Sequence, residues 1–397
     1  MRILFVAPRF HTNQCPTAKG LVEHGHEVFY LVQTVGVSED HSYVEPQKMK
    51  ISLLGRLVRW FILKRNNRTE AETKMIHHYI PSFWSVFGYI KRIRPDIVIL
   101  RDRIPSTILA NLACKLLGIK KVVLYNQTSL YSRRSQKQHI GRRIVFALMP
   151  KVRYTVTYIR NIFDLTEHKD DLYVKEHEYF VPFVCPLNEA AEQRSYFGED
   201  SSVRILCMGK YRSCKNHRIV VDAIALLRKR GLLDRVTVTM LGQVFHAEEE
   251  AYFAALGEYV KEKGVDDVIT LRRNIPYSEM PALYQSHDVY ILPSITELAS
   301  ISILEAMGNA LVPISTSYNG TACYITEGEN GYVFRNNDAE SLAGRIETLI
   351  SDRSIIPVMG RAGYRYMKEN CMFENYFSAL NELFEKEFSV SLDQSKV

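Results

Sequence analysis

The sequence has little that would place the protein in or across a membrane. No run approaches the roughly 20 consecutive apolar residues of a transmembrane helix. The opening segment, MRILFVAPRF, holds too few apolar residues before Pro8 and Arg9 for a secretion signal and predicts a first strand instead. The seven cysteines are odd in number and form no C-x-x-C pair, which favours reduced thiols. We therefore expect a cytoplasmic protein.

A metal-binding motif is also missing. The second half contains no Asp-x-Asp pair that would hold a divalent cation on a diphosphate. Any diphosphate bound there would have to be neutralised by cationic side chains. We therefore expect neither a metal nor another cofactor.

What is present predicts an α/β protein of two domains. The chain of 397 residues is too long for one hydrophobic core. Strand–helix alternation begins at Arg2–Ala7 and again at Arg204–Met208, which indicates two Rossmann-like sheets in tandem. Helical periodicity predicts one long helix over Gly360–Phe388. We predict a first domain at 1–185, a linker at 186–202, a second domain at 203–365 and a C-terminal segment at 366–397.

The positive charge is concentrated in the first half. Residues 1–185 hold 29 lysines and arginines against 15 acidic residues, a net charge of +14. The remainder holds 22 against 29, a net charge of −7. This asymmetry predicts an anionic partner for the first half. Because no basic-aromatic RNA motif and no helix-turn-helix pattern occurs, we expect a membrane surface or a lipid diphosphate rather than nucleic acid.

One segment of the first half combines apolar and basic residues at helical spacing. Within Ile51–Arg68, large apolar residues recur every three or four positions, with basic residues between and beyond them. Such a helix either lies in a membrane interface or packs its apolar face on the core, and both interpretations stay open. The candidate membrane-contact residues are Arg56, Arg59, Trp60, Phe61, Lys64 and Arg65. The run at 141–153 repeats the mixture.

The most informative stretch combines strand, turn, helix and strand. The apolar run Val289–Leu292 predicts a buried parallel strand, a turn follows, and a helix begins near Ser302 before a strand at Ala310–Ile314. Glu297 lies in the turn and Glu305 lies eight residues later on the helix. Ligands bind at the carboxyl ends of parallel strands, and a helix N-terminus there favours an anion. Carboxylates beside an anion fit sugar hydroxyls, so the pattern predicts a nucleotide-sugar site.

This stretch, PSITELASISILEAMGNALVPI, resembles the E-x7-E signature of retaining glycosyltransferases of family four. That family has the GT-B fold, in which two Rossmann-like domains face each other across a cleft. The resemblance implies that Glu297 contacts the transferred sugar and that Glu305 holds the ribose hydroxyls. Backbone N–H groups near Ser300 and Ile301 would stabilise the departing diphosphate. It also implies that a C-terminal helix returns to the first domain.

A second segment, GKYRSCKN at 209–216, resembles the family's phosphate turn after the first strand of the second domain. There two cations neutralise the donor diphosphate, and these roles fall on Lys210 and Lys215, with Gly209 opening the turn. The family's place for the nucleotide base corresponds to Asn274 and Ile275, after a predicted strand.

The first domain departs from the family in two places. Its first loop lacks the usual glycines, and Asn126 or Gln127 stands where many members have a histidine. No catalytic histidine is therefore carried over from the resemblance. The acceptor-side candidates are His11, Thr12, Asn13, Asn126 and Gln127.

The resemblance and the basic first half predict a retaining, metal-independent glycosyltransferase of the hexosyltransferase type. Its donor would be a nucleotide-diphosphate sugar. Its acceptor would be lipid-linked or a polysaccharide, at the inner face of the membrane, where the protein would be peripheral. Two alternatives remain open: a nucleotide-sugar epimerase of the same fold, which would act on the donor alone, and a non-catalytic glycosyltransferase-like subunit.

Overall fold

The computed structural model describes residues 1–35, 40–66, 79–127, 148–157, 176–185, 187–198 and 201–393. Across these ranges the chain forms two parallel sheets flanked by helices, one from each half of the sequence. The predicted architecture of two Rossmann-like domains is confirmed.

Seven parallel strands form the first sheet, in the order β3-β2-β1-β4-β5-β6-β7. They are β1 (Arg2–Arg9), β2 (Glu27–Thr34), β3 (Gln47–Lys48), β4 (Ile97–Arg101), β5 (Val122–Asn126), β6 (Arg153–Thr155) and β7 (Glu178–Phe180). The helices described in this half are α1 (Cys15–Glu23), α2 (Leu53–Asn66), α3 (Phe83–Ile93) and α4 (Pro105–Leu116). Because β2 and β4 lie on opposite sides of β1, the strand order reverses there, which opens a crevice at the carboxyl ends of β1 and β4.

Six parallel strands form the second sheet, in the order β10-β9-β8-β11-β12-β13. They are β8 (Val203–Met208), β9 (Val236–Gly242), β10 (Ile269–Arg273), β11 (Val289–Leu292), β12 (Val312–Thr316) and β13 (Tyr332–Phe334). The helices of this half are α5 (His217–Lys229), α6 (Ala247–Glu262), α7 (Met280–Gln285), α8 (Ile301–Gly308), α9 (Ala339–Ser351), α10 (Ile355–Asn370) and α11 (Phe373–Phe388). Here the order reverses between β8 and β11, the two strands that precede the predicted donor turns.

Two of the predicted elements differ most from the structure, and the helix expected from Gly360 also begins earlier, at Ile355. The strand expected at Ala310–Ile314 begins two residues later, because Ala310 takes a left-handed φ of 58° as the chain leaves α8. The single helix expected over Gly360–Phe388 is two helices, broken at Cys371. At the break, the Cys371 carbonyl accepts a hydrogen bond from the Cys185 amide at 3.0 Å. The helix therefore ends where two segments that pass between the domains are in contact, one near Cys185 and one near Cys371.

The last helix, α11, packs on the first domain. His24, just after α1, lies between Phe373 and Phe377, with ring centroids 4.8 and 4.9 Å away. Near the other end of α11, the Glu387 carboxylate accepts a hydrogen bond from the Tyr179 hydroxyl at 2.6 Å. Buried α11 side chains share one hydrophobic core with strands of the first sheet. This helix is therefore part of the first domain in space, although it follows the second domain in sequence.

Candidate active site

Two turns meet at the reversal of strand order in the second sheet. Strands β8 and β11 are neighbours, with Val289 opposite Ile205. The turn after β8 carries residues 209–216 and the turn after β11 carries residues 293–300. The Ile295 amide donates to the Cys214 carbonyl at 2.9 Å, which joins the two turns directly. Two motifs about 80 residues apart in sequence thus form one site.

Lys215 and Glu297 form an ion pair across these turns, between Nζ and Oε2. Their side chains are 24% and 22% exposed, so a ligand in the crevice can reach both. Gly209 follows β8 directly. A Cβ at this position would lie 3.3 Å from Lys215 Cγ, so glycine leaves room for the lysine side chain to pack against the end of the strand. Lys210 is exposed on the same turn. Asn216 has a left-handed φ of 53°, which asparagine tolerates, and so replaces a glycine there.

Helix α8 begins directly after the turn that carries Glu297. Ser300 is its N-cap residue, but the hydroxyl of Ser300 contacts the Ser302 hydroxyl at 2.8 Å instead of capping the helix. Ser302 also accepts a hydrogen bond from the Tyr290 hydroxyl at 2.7 Å. The hydroxyls are thereby tied to each other, and the early N–H groups of the helix, including that of Ile301, have no side-chain cap. Such groups bind anions well.

The second glutamate lies deeper than the first. Glu305 is on α8, and its carboxylate accepts a hydrogen bond from the Tyr284 hydroxyl at 2.9 Å. Burial raises the pKa of Glu305 above its ordinary value, whereas the hydrogen bond from Tyr284 acts in the opposite direction. As a carboxylate, Glu305 can accept hydrogen bonds from vicinal hydroxyls, and when protonated it can donate one to them. Tyr284 could not be predicted as the partner of Glu305, because the contact joins two different helices.

The predicted base-binding residues follow β10. Asn274 has a left-handed φ of 54°. Its side chain accepts from the Val244 amide at 2.8 Å and donates to the Val244 carbonyl at 3.0 Å. The side chain of Asn274 therefore ties the loop after β9 to the loop after β10. Ile275 lies next to it and is partly exposed.

Comparison with known proteins bears on the second half of the chain. A family model described as "Glycosyl transferases group 1" matches residues 189–366. This region is similar in sequence to group 1 glycosyltransferases, and we call it the glycosyltransferase domain after that similarity. D-inositol 3-phosphate glycosyltransferase of Paenarthrobacter aurescens is 27% identical over 160 residues, 40% of this chain and 38% of that protein. The chain thus spans less than two fifths of that relative's length.

Solved structures match the whole chain at low sequence identity. Sucrose-phosphate synthase from Thermosynechococcus elongatus aligns with a TM-score of 0.70 at 12% identity, covering 98% of this chain and all of that one, 100%. Anabaena HepE in complex with UDP aligns with a TM-score of 0.70 at 13% identity, covering 97% and 100%. The protein therefore has the GT-B fold, as predicted. The glycosyltransferase domain supplies one wall of the cleft, and the first domain supplies the other.

The acceptor-side candidates lie at the carboxyl ends of β1 and β5. His11 precedes a short turn that contains Thr12 and Asn13, and Asn13 lines a small buried cavity. Asn126 and Gln127 end β5 and are buried. The structure thus brings the two groups of candidates to the same edge of the first sheet, opposite the glycosyltransferase domain.

An arginine that the sequence reasoning left out of the candidate site joins these two groups. The guanidinium of Arg101, at the end of β4, donates to the Gln127 side-chain oxygen at 2.5 Å and to that of Gln14 at 3.3 Å. Gln127 in turn donates to the Tyr125 hydroxyl at 2.6 Å. Arg101 is buried. Its position was deducible, since β4 lies between β1 and β5 in a sheet with this strand order.

Helix α2 presents its large apolar side chains to solvent. Trp60 is 59% and Phe61 60% exposed, and Leu53, Leu54 and Leu57 are exposed beside them. The alternative of a core-facing apolar surface is therefore wrong for these residues. Arg56 and Lys64 are exposed, Arg59 is partly buried, and Lys64 Nζ lies 4.9 Å from the Trp60 ring centroid. The side chain of Arg65, Arg68 and residues 141–147 lie outside the described part.

The neighbouring helix adds an aromatic residue that the sequence reasoning missed. Trp84, on α3, is 76% exposed. The starts of α2 and α3 are held together, since the Ser52 amide donates to Ile80 at 3.0 Å and the Ser82 amide to Lys50 at 2.7 Å. Among the helices in the described ranges, none is both long and apolar enough to cross a bilayer.

Proposed function

We propose that this protein is a retaining glycosyltransferase that moves a sugar from a nucleotide-diphosphate sugar to a lipid-linked or polysaccharide acceptor. The observation that carries the proposal is the contact between Lys215 and Glu297 beside the uncapped first turn of α8. A cation, a carboxylate and free helix amides within one crevice match a diphosphate joined to a sugar. The match of residues 189–366 to the group 1 family supports the same reaction.

In the proposed reaction, the bond between the anomeric carbon and the β-phosphate oxygen breaks. The nucleoside diphosphate leaves with one more negative charge, which Lys210, Lys215 and the amides near Ile301 stabilise. The acceptor hydroxyl attacks from the face that the diphosphate leaves, so the anomeric configuration is retained. Its proton passes by way of the departing phosphate oxygen to solvent. Glu297 orients the sugar, and Glu305 holds the ribose hydroxyls. Cationic side chains neutralise the diphosphate, so we propose that no metal is required.

The first test is a thermal-shift screen against UDP-, GDP-, ADP- and dTDP-sugars, because a ligand that binds the folded state raises its stability. With the donor that binds, Glu297→Ala should abolish transfer, and Lys215→Ala should mainly weaken donor binding. Glu258→Ala and Lys261→Ala are matched controls, since these residues form an exposed ion pair on α6, outside the proposed site. Near-wild-type transfer by Glu297→Ala would contradict the site assignment.

The same assay separates the alternatives. An epimerase converts the donor to a second nucleotide sugar with no acceptor present. A non-catalytic subunit binds the donor but releases no nucleoside diphosphate when acceptors are supplied. Transfer to an added lipid-linked or polysaccharide acceptor with retained anomeric configuration, read by NMR, supports the proposal.

We also propose that the first domain lies on an anionic membrane at the inner face. The support is the exposure of the aromatic side chains Trp60 and Phe61 on α2 and Trp84 on the neighbouring α3, with Arg56 and Lys64 exposed on α2, together with the net charge of +14 over residues 1–185. Interfacial tryptophans and basic side chains act together, because burial and attraction to anionic lipid add.

Liposome sedimentation tests the membrane proposal. Serine replacements at Arg56, Arg59, Lys64 and Arg65 should release the protein from anionic vesicles, and Trp60→Ala with Trp84→Ala should do so even at low salt. Serine replacements at Lys229, Lys261 and Lys368, exposed on the glycosyltransferase domain side, remove charge without touching α2 or α3. If the control set at Lys229, Lys261 and Lys368 reduced sedimentation as much as the set at Arg56, Arg59, Lys64 and Arg65, the proposal would be contradicted.

A further inference from the structure

The turn that carries Glu297 is held by backbone hydrogen bonds at Ile295 and at Glu297 itself. The Glu297 amide donates to the Tyr318 carbonyl at 3.1 Å, and the Glu297 carbonyl accepts from the Gly320 amide at 3.0 Å. The Asn336 side chain donates to the Ile295 carbonyl at 3.2 Å. The segment at 316–321, which begins at the end of β12, is therefore hydrogen-bonded to the Glu297 turn and supports it.

At Gly320, in this supporting segment, there is no room for a side chain. A Cβ at this position would overlap the carbonyl oxygen of Leu298 and lie 3.0 Å from Thr157 Oγ1. The segment cannot easily move away, because the neighbouring Asn319 is buried and anchored. Its side chain donates to the Ser315 hydroxyl at 3.0 Å and accepts from the Thr321 amide at 3.2 Å. Any added atom at Gly320 would therefore displace the Leu298 carbonyl rather than Gly320 itself.

Thr157 brings the first domain into the same contact. It lies just after β6 and is buried. Its hydroxyl donates to the Leu298 carbonyl at 3.3 Å, one residue beyond Glu297. The two domains are also joined close by, because the Tyr324 hydroxyl donates to the Val156 carbonyl at 2.7 Å. The peptide that follows Glu297 is thus enclosed between Gly320 of its own domain and Thr157 of the opposite one.

We propose that Thr157 and Gly320 are positioning residues that fix the Glu297 turn when the two domains are in contact. The proposal rests on the proposed function, in which Glu297 orients the transferred sugar. Neither residue touches the substrate in this scheme. Thr157 makes the position of the Glu297 carboxylate depend on contact between the domains. Gly320 allows the Leu298 carbonyl to lie close enough to Thr157 for this contact to form. Opening of the cleft releases the Leu298 carbonyl and lets the turn relax for product release.

Kinetics with four variants test this. Gly320→Ala should lower kcat about 100-fold, since a displacement of about 1 Å in a reacting group costs this much. Thr157→Val removes one hydrogen bond and should lower kcat about fivefold, whereas Thr157→Ser keeps the hydroxyl and should restore it. Affinity for the nucleotide sugar found in the thermal-shift screen should change little in each, because Lys215 and the first turn of α8 stay in place. Gly331→Ala is the matched control, because its Cβ would crowd Pro313, outside the Glu297 turn.

Hydrogen exchange supplies a readout that does not depend on activity. Amides of the peptide 294–300 should exchange faster in Gly320→Ala and Thr157→Val than in the wild type, and Gly331→Ala should lower thermal stability without this local effect. Wild-type kcat in Gly320→Ala, or unchanged exchange in both variants, would overturn the positioning role. If the wild type transfers no sugar from any donor, the proposed function fails instead, and the exchange comparison still decides whether the two residues hold the turn.

Discussion

His217 is a buried histidine at the start of α5, two residues after Lys215. Its ring packs against the Tyr211 ring with centroids 5.0 Å apart. Burial, and then the nearby charge of Lys215, lower the pKa of His217 from 6.5 to about 4. In the unfolded chain the ring takes up a proton near pH 6.5, but in the folded protein it stays neutral until about pH 4. The stabilisation linked to His217 is therefore present above pH 6.5 and is lost as the pH falls toward 4.

The size of the effect follows from proton linkage. Between pH 7 and pH 5, a histidine with these two pKa values reduces the free energy of unfolding by about 2 kcal/mol. His217→Phe keeps an aromatic ring against Tyr211 and cannot titrate. The variant should therefore lose about 2 kcal/mol less than the wild type over the same pH interval.

Urea unfolding at pH 7 and pH 5, followed by circular dichroism, measures this difference. His26 is the matched control: burial chiefly lowers its pKa to about 4 as well, but it lies in the first domain. An equal loss of stability on acidification in the wild type and in His217→Phe would refute the reasoning.

Three further predictions concern the glycosyltransferase domain. Tyr284→Phe leaves Glu305 buried without its hydroxyl donor, which should raise the pKa of Glu305 further. Calorimetry with the nucleotide sugar that the thermal-shift screen identifies should show binding weakened severalfold at pH 7 and partly recovered at higher pH. Asp288 is fully buried and pairs with Arg204 at 2.8 Å, so Asp288→Asn should cost about 3–5 kcal/mol in urea unfolding, and a loss under 1 kcal/mol would contradict this. Transfer should persist in excess EDTA, and activity that EDTA removes and Mg²⁺ restores would show that lysines do not replace a metal.

The local parts of the site were predictable from sequence. Glu297 follows a strand and Glu305 lies on a helix, both with apolar patterns that are clear over a few residues, and the turn at 209–216 also lies between a strand and a helix. Their placement in one crevice follows from the strand order of a doubly wound sheet. The side-chain roles of these residues remain predictions.

Other parts depended on contacts that no local pattern encodes. The hydrogen bonds of Arg101, at the end of β4, join it to Gln14 after β1 and to Gln127 after β5. The contact of Thr157 with Leu298 joins two domains. The end of α10 near Cys371 was also missed, since the apolar periodicity continues across it, whereas in the structure the contact with Cys185 and the Asn375 cap at Met372 accompany the break. Tertiary packing overrides local propensity at such points.

The return of α11 to the first domain affects how chimeric enzymes should be made. An exchange of acceptor specificity between two proteins of this fold would have to take residues 1–185 together with Phe373–Phe388, because the side chains of both segments share one core. A graft that ends at the linker would leave α11 facing a foreign α1 surface. Two junctions, one near Cys185 and one near Cys371, are therefore the natural cut sites, and they are already adjacent in space.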